Sequence, residues 1–157
     1  MGIKSTIRNY FKRKAKIKLL NTENVVNFDK YILENRTIVF LSKTFPTHDK
    51  DSGSNRLKEI ILQFKKLEYN CIICVEKTFE DNNYVQFYKE NGCIIYVESR
   101  KFKNIFEFLK SLPKIDFYWY NGAETFAEYF EKTKKISPNA TTIYDMVDIH
   151  FLRIKRA

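Results

Sequence analysis

From Thr37 onward the chain alternates between short unbroken apolar runs and stretches with helical spacing. Ile38-Val39-Phe40-Leu41 is continuous, as in a strand buried on both faces. After a polar loop, Leu57, Ile60, Ile61, Phe64 and Leu67 recur every three or four positions, which predicts an amphipathic helix. Cys71-Ile72-Ile73-Cys74-Val75 predicts a second strand, and Tyr84, Phe87 and Tyr88 predict a helix that stops at Asn91-Gly92. Cys93 to Val97 is the third predicted strand, followed by a helix through Phe102, Ile105, Phe106 and Leu109 that closes near Pro113. Ile115 to Tyr120 and Thr141 to Tyr144 predict the last two strands, with a helix through Phe126, Ala127 and Phe130 between them. Strands separated by helices at this spacing need right-handed crossovers, hence a mostly parallel sheet covered on both faces. The expected fold is a doubly wound α/β domain over residues 37–157.

Residues 1–36 read differently, as an N-terminal helical extension. Ile3, Ile7, Tyr10 and Phe11 share one helical face and basic residues fill the other. Val25, Val26, Phe28, Ile32 and Leu33 predict a second short helical stretch before the body begins. The net charge of +9 belongs to this extension. Of the 28 Lys and Arg, seven lie in residues 1–20, which hold no acid, leaving 21 against all 19 Asp and Glu. A body that bound nucleic acid would carry its own basic patch, so nucleic acid is not an expected partner. The extension itself fits either a basic amphipathic helix on an anionic membrane surface or a solvated charged segment.

At 157 residues and 44% hydrophobic content the chain can bury a core but has little room for a second domain. No apolar run approaches the roughly 18 residues of a membrane span. The three cysteines, Cys71, Cys74 and Cys93, sit inside apolar runs and are odd in number, which points to small core residues in a reducing compartment. A cytoplasmic location is expected, peripheral on the inner face of the membrane where the extension acts as a membrane helix.

In open parallel sheets ligands bind beyond the carboxyl ends of the strands, where strand order reverses. The loops after the first, fourth and fifth strands are therefore the ones to inspect. The first carries Asp51-Ser52-Gly53-Ser54 and then Arg56. Ser52 or Ser54 is expected to cap the following helix, and Gly53 lets backbone approach a ligand. Arg56 in the first helical turn opposes the helix dipole unless an anion or carboxylate compensates it. The fifth strand leads into Asp145, Asp148 and His150. A carboxylate beside an imidazole suits a general base, while ordinary helix capping explains the same residues without chemistry. No common zinc spacing is present and no metal is expected. Neither a dinucleotide glycine fingerprint nor a Walker loop occurs.

Two segments together resemble a known family. Phe45-Pro46-Thr47-His48-Asp49-Lys50-Asp51-Ser52-Gly53-Ser54-Asn55-Arg56 resembles the first-strand loop of bacterial glycosyltransferases of the GT-B fold, in the group-1 or family-4 class. Ile143-Tyr144-Asp145-Met146-Val147-Asp148-Ile149-His150-Phe151-Leu152-Arg153 resembles a later segment of the same proteins. The resemblance covers residues 37–157. It implies a Rossmann-like N-terminal, acceptor-side half of an enzyme that moves sugar from a nucleotide-activated donor to a glycan or lipid-linked acceptor in polysaccharide synthesis. Carried over by position, Gly53 lies near the donor phosphates, with Ser52, Ser54 and Arg56 supporting that loop beside Asp51. Asp148 or His150 faces the reacting hydroxyl as base or orienting group, with Asp145 in support. The nucleotide sugar is a substrate, and no further cofactor is implied. Such enzymes hold most donor contacts in a second Rossmann-like domain, so this stretch alone is expected to be inactive. The rival expectation is a doubly wound interaction module without chemistry, docked by its basic extension to a membrane or a partner.

Overall fold

The computed structural model describes residues 25–76 and 83–146. Five strands form one sheet: β1 (Thr37–Ser42), β2 (Asn70–Val75), β3 (Ile94–Ile95), β4 (Phe117–Asn121) and β5 (Thr141–Asp145). Four helices alternate with them: α1 (Ser52–Lys66), α2 (Asn83–Glu90), α3 (Ile105–Ser111) and α4 (Ala123–Ile136). All strand pairs are parallel and the order is β3-β2-β1-β4-β5. The chain thus starts in the middle, winds outward through β2 and β3, and returns past β1 to add β4 and β5. The expected doubly wound α/β fold is the observed one.

Side chains of a strand alternate between faces, so each run of unbroken apolar residues feeds two cores. Ile38, Phe40, Cys71 and Ile73 pack with Leu57 and Ile61 of α1 and Val85 and Tyr88 of α2. Val39, Leu41, Ile72, Cys74, Tyr118 and Tyr120 pack with Ile105, Phe108 and Leu109 of α3 and Tyr129 of α4. β1 and β2 are buried along their whole length. β5, at the sheet edge, is the most exposed strand.

Two helices end in the same hydrogen-bond pattern, with the residue after the cap left-handed. After α2 it is Gly92 (φ 74°), where Cys93 N–H donates to Tyr88 O at 2.9 Å and Gly92 N–H to Lys89 O at 3.0 Å. After α1 it is Glu68 (φ 61°), with Tyr69 N–H on Phe64 O and Glu68 N–H on Lys65 O, both 3.0 Å.

Three expectations change. Residues 25–33 form a single 3-10 turn at Phe28–Lys30, not a longer helix. This segment also packs into the body, since Val25, Val26, Phe28 and Tyr31 are buried core residues. Ile32 exchanges hydrogen bonds of 2.9 and 2.7 Å with the Asn70 side chain, which explains a buried asparagine at the start of β2. The third strand is shorter than the apolar run from Cys93 to Val97, although Tyr96 N–H still reaches Ile73 O at 2.9 Å. Its outer edge is not bare, because Val26 pairs antiparallel with Ile95 and accepts its N–H at 3.1 Å. Among the described residues no helix is long and apolar enough to cross a membrane.

Candidate functional site

Strand order reverses between β1 and β4, and a cavity of about 300 Å³ opens there at the carboxyl edge. Ser42, Lys43 and Thr44 line it from the end of β1, and Asn121, Gly122 and the first turn of α4 from the end of β4. Gly122 is the N-cap of α4, with φ 90° and ψ 163°, and no side chain caps that helix. A Cβ built on Gly122 meets nothing within 4 Å, so the backbone here is open to the crevice. Asn121 donates to Ser42 Oγ at 3.2 Å, and among the described residues its own Oδ1 is buried without a partner. Lys43 of the cavity lining pairs with Glu128 of α4.

The other helix terminus at this edge, that of α1, is closed by its own sequence. Asp51 is the N-cap, in extended geometry, and its carboxylate accepts the Ser54 N–H at 2.7 Å and the Thr47 hydroxyl at 3.3 Å. Neither Ser52 nor Ser54 is the cap, contrary to expectation. A carboxylate can accept both the helix amide and the loop hydroxyl while also complementing the helix dipole, which a serine hydroxyl does not. Hydrogen bonds from Ser54 hold the Asp51 carboxyl below the usual carboxylate range. Ser52, Gly53 and Ser54 form the first turn of α1.

Arg56 finds the carboxylate its position demands. Its guanidinium pairs with Asp145 at the end of β5, and Trp119 Nε1 donates to the other Asp145 oxygen at 3.2 Å. Gly122 N–H donates to the Asp145 carbonyl at 2.9 Å. Asp145 is therefore a junction between α1, β4 and β5, with only 8% of its side chain exposed and each carboxylate oxygen accepting one of these bonds. Asp148 and His150 lie outside the described residues.

The loop between β1 and α1 is fastened to α2. Phe45 packs edge-on against Tyr88, the His48 ring lies 4.5 Å from that of Phe87, and Tyr84 donates to Asp49 at 2.5 Å. That last bond lowers the Asp49 carboxyl. His48 carries a packing role that sequence pattern did not single out, and aromatic spacing on the following helix was the available signal.

Sequence reasoning weighed the α1 terminus, which Asp51 caps, and not the α4 terminus, which no side chain caps. Gly122, directly after a strand and directly before a helix, was the missed signal for the uncapped one. Among the described residues no group of three or more His, Cys, Asp or Glu is arranged to hold a metal. Cys71, Cys74 and Cys93 are free and buried, and burial pushes the Cys93 thiol up to about 12. The CxxC pair therefore offers no accessible thiolate.

Comparison with models of known protein families, with curated proteins and with solved structures yields no match.

Proposed function

We propose that this chain is the acceptor-side, Rossmann-like half of a GT-B type glycosyltransferase, closing on a donor-binding partner domain to move sugar from a nucleotide-activated donor. The observation that carries the reading is the Arg56–Asp145 pair. It joins the two segments on which the family resemblance rests, 89 residues apart in sequence, at the carboxyl edge beside the strand-order reversal. The pair fixes the placement of these two segments relative to each other.

The chemistry of the edge is consistent with that role. The uncapped α4 N-terminus, beside Ser42 and Asn121, offers backbone amides that suit the phosphates of a donor presented from across a cleft, with Glu124 of the same turn opposing them. The α1 terminus is already occupied by the Asp51 carboxylate, so Ser52, Gly53 and Ser54 act by shaping the cleft wall. Asp148 and His150 are the proposed base and orienting group. Catalysis of this kind depends on closing two halves around donor and acceptor, and one half alone lacks that geometry.

The test is the complete natural reading frame, assayed for nucleotide release with a panel of nucleotide sugars. Turnover that falls in Asp148→Asn or His150→Ala at unchanged melting temperature supports the reading. A stop codon directly after Ala157, or a continuation that binds no nucleotide sugar, overturns it in favour of an interaction module.

A further inference from the structure

A groove of about 790 Å³ runs between α3 and α4 toward the start of β4, at the amino end of the sheet and away from the crevice at the carboxyl edge. Its apolar lining is Leu109 and Leu112, both buried, with Phe106, Pro113, Ile115 and Ile136 half-buried. Four lysines complete it: Lys110 of α3, Lys114 of the loop that follows, and Lys132 and Lys135 of α4. Glu107 is the one acid of the lining, and Lys114 pairs with Asp116 at 3.0 Å. Counting both carboxylates, four ammonium groups still outnumber them two to one.

Helix dipoles explain only part of this charge. A lysine in the last turn complements a helix C-terminus, and Lys110 of α3 and Lys134 and Lys135 of α4 stand there. Lys134 serves the α4 end directly, donating to the Pro138 carbonyl at 2.7 Å. Lys132, before the last turn, and Lys114, beyond the end of α3, answer no such need. They extend the positive lining along an apolar recess. Such a lining complements a partner that is apolar at its centre and acidic around it.

Charge and shape sort the possible occupants. The tails of this chain outside the described residues do not match, because residues 1–24 hold seven basic residues against Glu23, and residues 147–157 hold Arg153, Lys155 and Arg156 against Asp148. A bilayer is met by apolar side chains that project. The exposed large apolar residues among those described, Ile32, Leu67, Tyr144 and Met146, all lie outside the groove, whose own apolar groups are recessed. Single-stranded nucleic acid is met by open aromatic faces. Phe106, the only aromatic ring of the lining, already lies under Lys132 at 4.8 Å and packs 5.6 Å from Tyr129.

We propose that the groove between α3 and α4 docks an acidic, amphipathic segment of a partner protein, whose apolar side chains enter beside Ile115 and Ile136 and whose carboxylates meet Lys110, Lys114, Lys132 and Lys135. This surface lies at the other end of the sheet from the proposed donor site and stands whether or not the chain belongs to a transferase.

The probe is a synthetic amphipathic peptide of about 15 residues, with leucines at the i, i+4 and i+7 spacing of one helix face and glutamates elsewhere. Titrated into the 157-residue chain and followed by NMR amide shifts, it is expected to bind with a Kd on the order of 10–100 µM, as for a small transient interface. The shifted amides should fall at 110–115 and 132–137, and affinity should drop several-fold in about 0.5 M salt. Lys132 and Lys135 are exposed, so Lys132→Glu with Lys135→Glu should keep the fold and weaken binding about tenfold or more. The same charge change at exposed Lys66 and Lys89, on α1 and α2, should leave affinity within about twofold. A peptide with serine in place of each leucine should bind at least about tenfold more weakly. Equal loss in the two double variants, equal binding of the serine peptide, or shifts confined to residues outside the groove overturns the inference. Phosphatidylglycerol vesicles or a single-stranded oligonucleotide held through Lys132 and Lys135, with the peptide silent, would overturn it in favour of a lipid surface or nucleic acid.

Discussion

Trp119 in β4 donates its indole N–H to Asp145 Oδ2 at 3.2 Å, while its ring packs 5.9 Å from Phe40 and 6.3 Å from Phe64. One side chain thus anchors the edge strand's carboxyl end to the central core. Asp145→Ala leaves the indole without an acceptor and is expected to destabilise the chain by about 1–3 kcal/mol in urea unfolding. Asp145→Asn keeps an acceptor for the indole and loses mainly the Arg56 ion pair. Arg56 is about half exposed, so that loss is expected to be under about 1 kcal/mol. Equal destabilisation by the two variants would mean that the indole bond contributes nothing.

The β–α alternation was legible because strands buried on both faces leave unbroken apolar runs, and Ile38–Leu41 and Cys71–Val75 do so without ambiguity. The need of Arg56 for a carboxylate was legible from the helix dipole, but its partner was not, since spacing says nothing about contacts 89 residues apart. The N-cap was misread because Asp51, Ser52 and Ser54 are all good capping residues, and only backbone geometry distinguishes them. Residues 25–31 read as part of an extension because they precede the β–α alternation that begins at Thr37, yet they cover the sheet through Val26, Phe28 and Tyr31.

Asp51 gives a test of helix capping, pH and charge together. Its folded carboxyl lies below the ordinary value of 3.8, so its contribution is complete above that value and lost as pH falls through it toward the lowered folded one. Asp51→Ala is expected to cost about 1 kcal/mol near neutral pH, the usual worth of an N-cap. As pH falls through the carboxyl's range the gap between wild type and Asp51→Ala should narrow toward that shown by the neutral cap of Asp51→Asn. Asp51→Asn, which caps without ionising, should show no such pH dependence. Urea unfolding across pH 2.5–7 reads all three curves.

Burial of the cysteines gives a reactivity prediction. Cys71, Cys74 and Cys93 are all 0% exposed, and burial pushes each thiol up. In the native chain at pH 8 iodoacetamide should modify none of them on a timescale that labels a free thiol fully. In denaturant all three should react together, at the rate of global opening. Selective labelling of Cys93 alone under native conditions would show that β3 opens by itself.

The segment before β1 should behave as core. Phe28 is 2% exposed and stacks on Tyr31 at 5.2 Å, and the Tyr31 hydroxyl shares a 2.8 Å hydrogen bond with Thr37. Phe28→Ala is expected to cost about 3–5 kcal/mol. Deleting residues 25–36 should go further, since it also strips both Ile32 bonds from buried Asn70 and uncovers the edge of β3 at Ile95. That deletion is expected to yield insoluble or unfolded protein, read by circular dichroism and size exclusion. A folded, monomeric deletion product would return this segment to the status of an appendage.

Two backbone positions predict changes of opposite sign. Glu68 closes α1 at φ 61°, a left-handed conformation that costs an L-residue with a Cβ on the order of 1 kcal/mol. Glu68→Gly keeps both capping bonds and removes that strain, so it should stabilise the chain by some tenths to about 1 kcal/mol, the added freedom of the unfolded glycine offsetting part of the gain. Gly122 stands at φ 90° and ψ 163°, a region that only glycine occupies without strain. Space is not the obstacle there, because a Cβ on Gly122 meets nothing within 4 Å. Gly122→Ala should therefore cost about 1–3 kcal/mol through backbone strain alone. If the backbone relaxes instead, the Gly122 N–H bond to the Asp145 carbonyl and the open α4 terminus should both be disturbed. Amide shifts at Gly122 and Asp145, recorded beside the unfolding curves, separate the two outcomes: a destabilised variant with unmoved shifts stores strain, and one of normal stability with moved shifts has rebuilt the crevice. A Gly122→Ala variant unchanged in both would show that the backbone at this turn is not held where the fold places it.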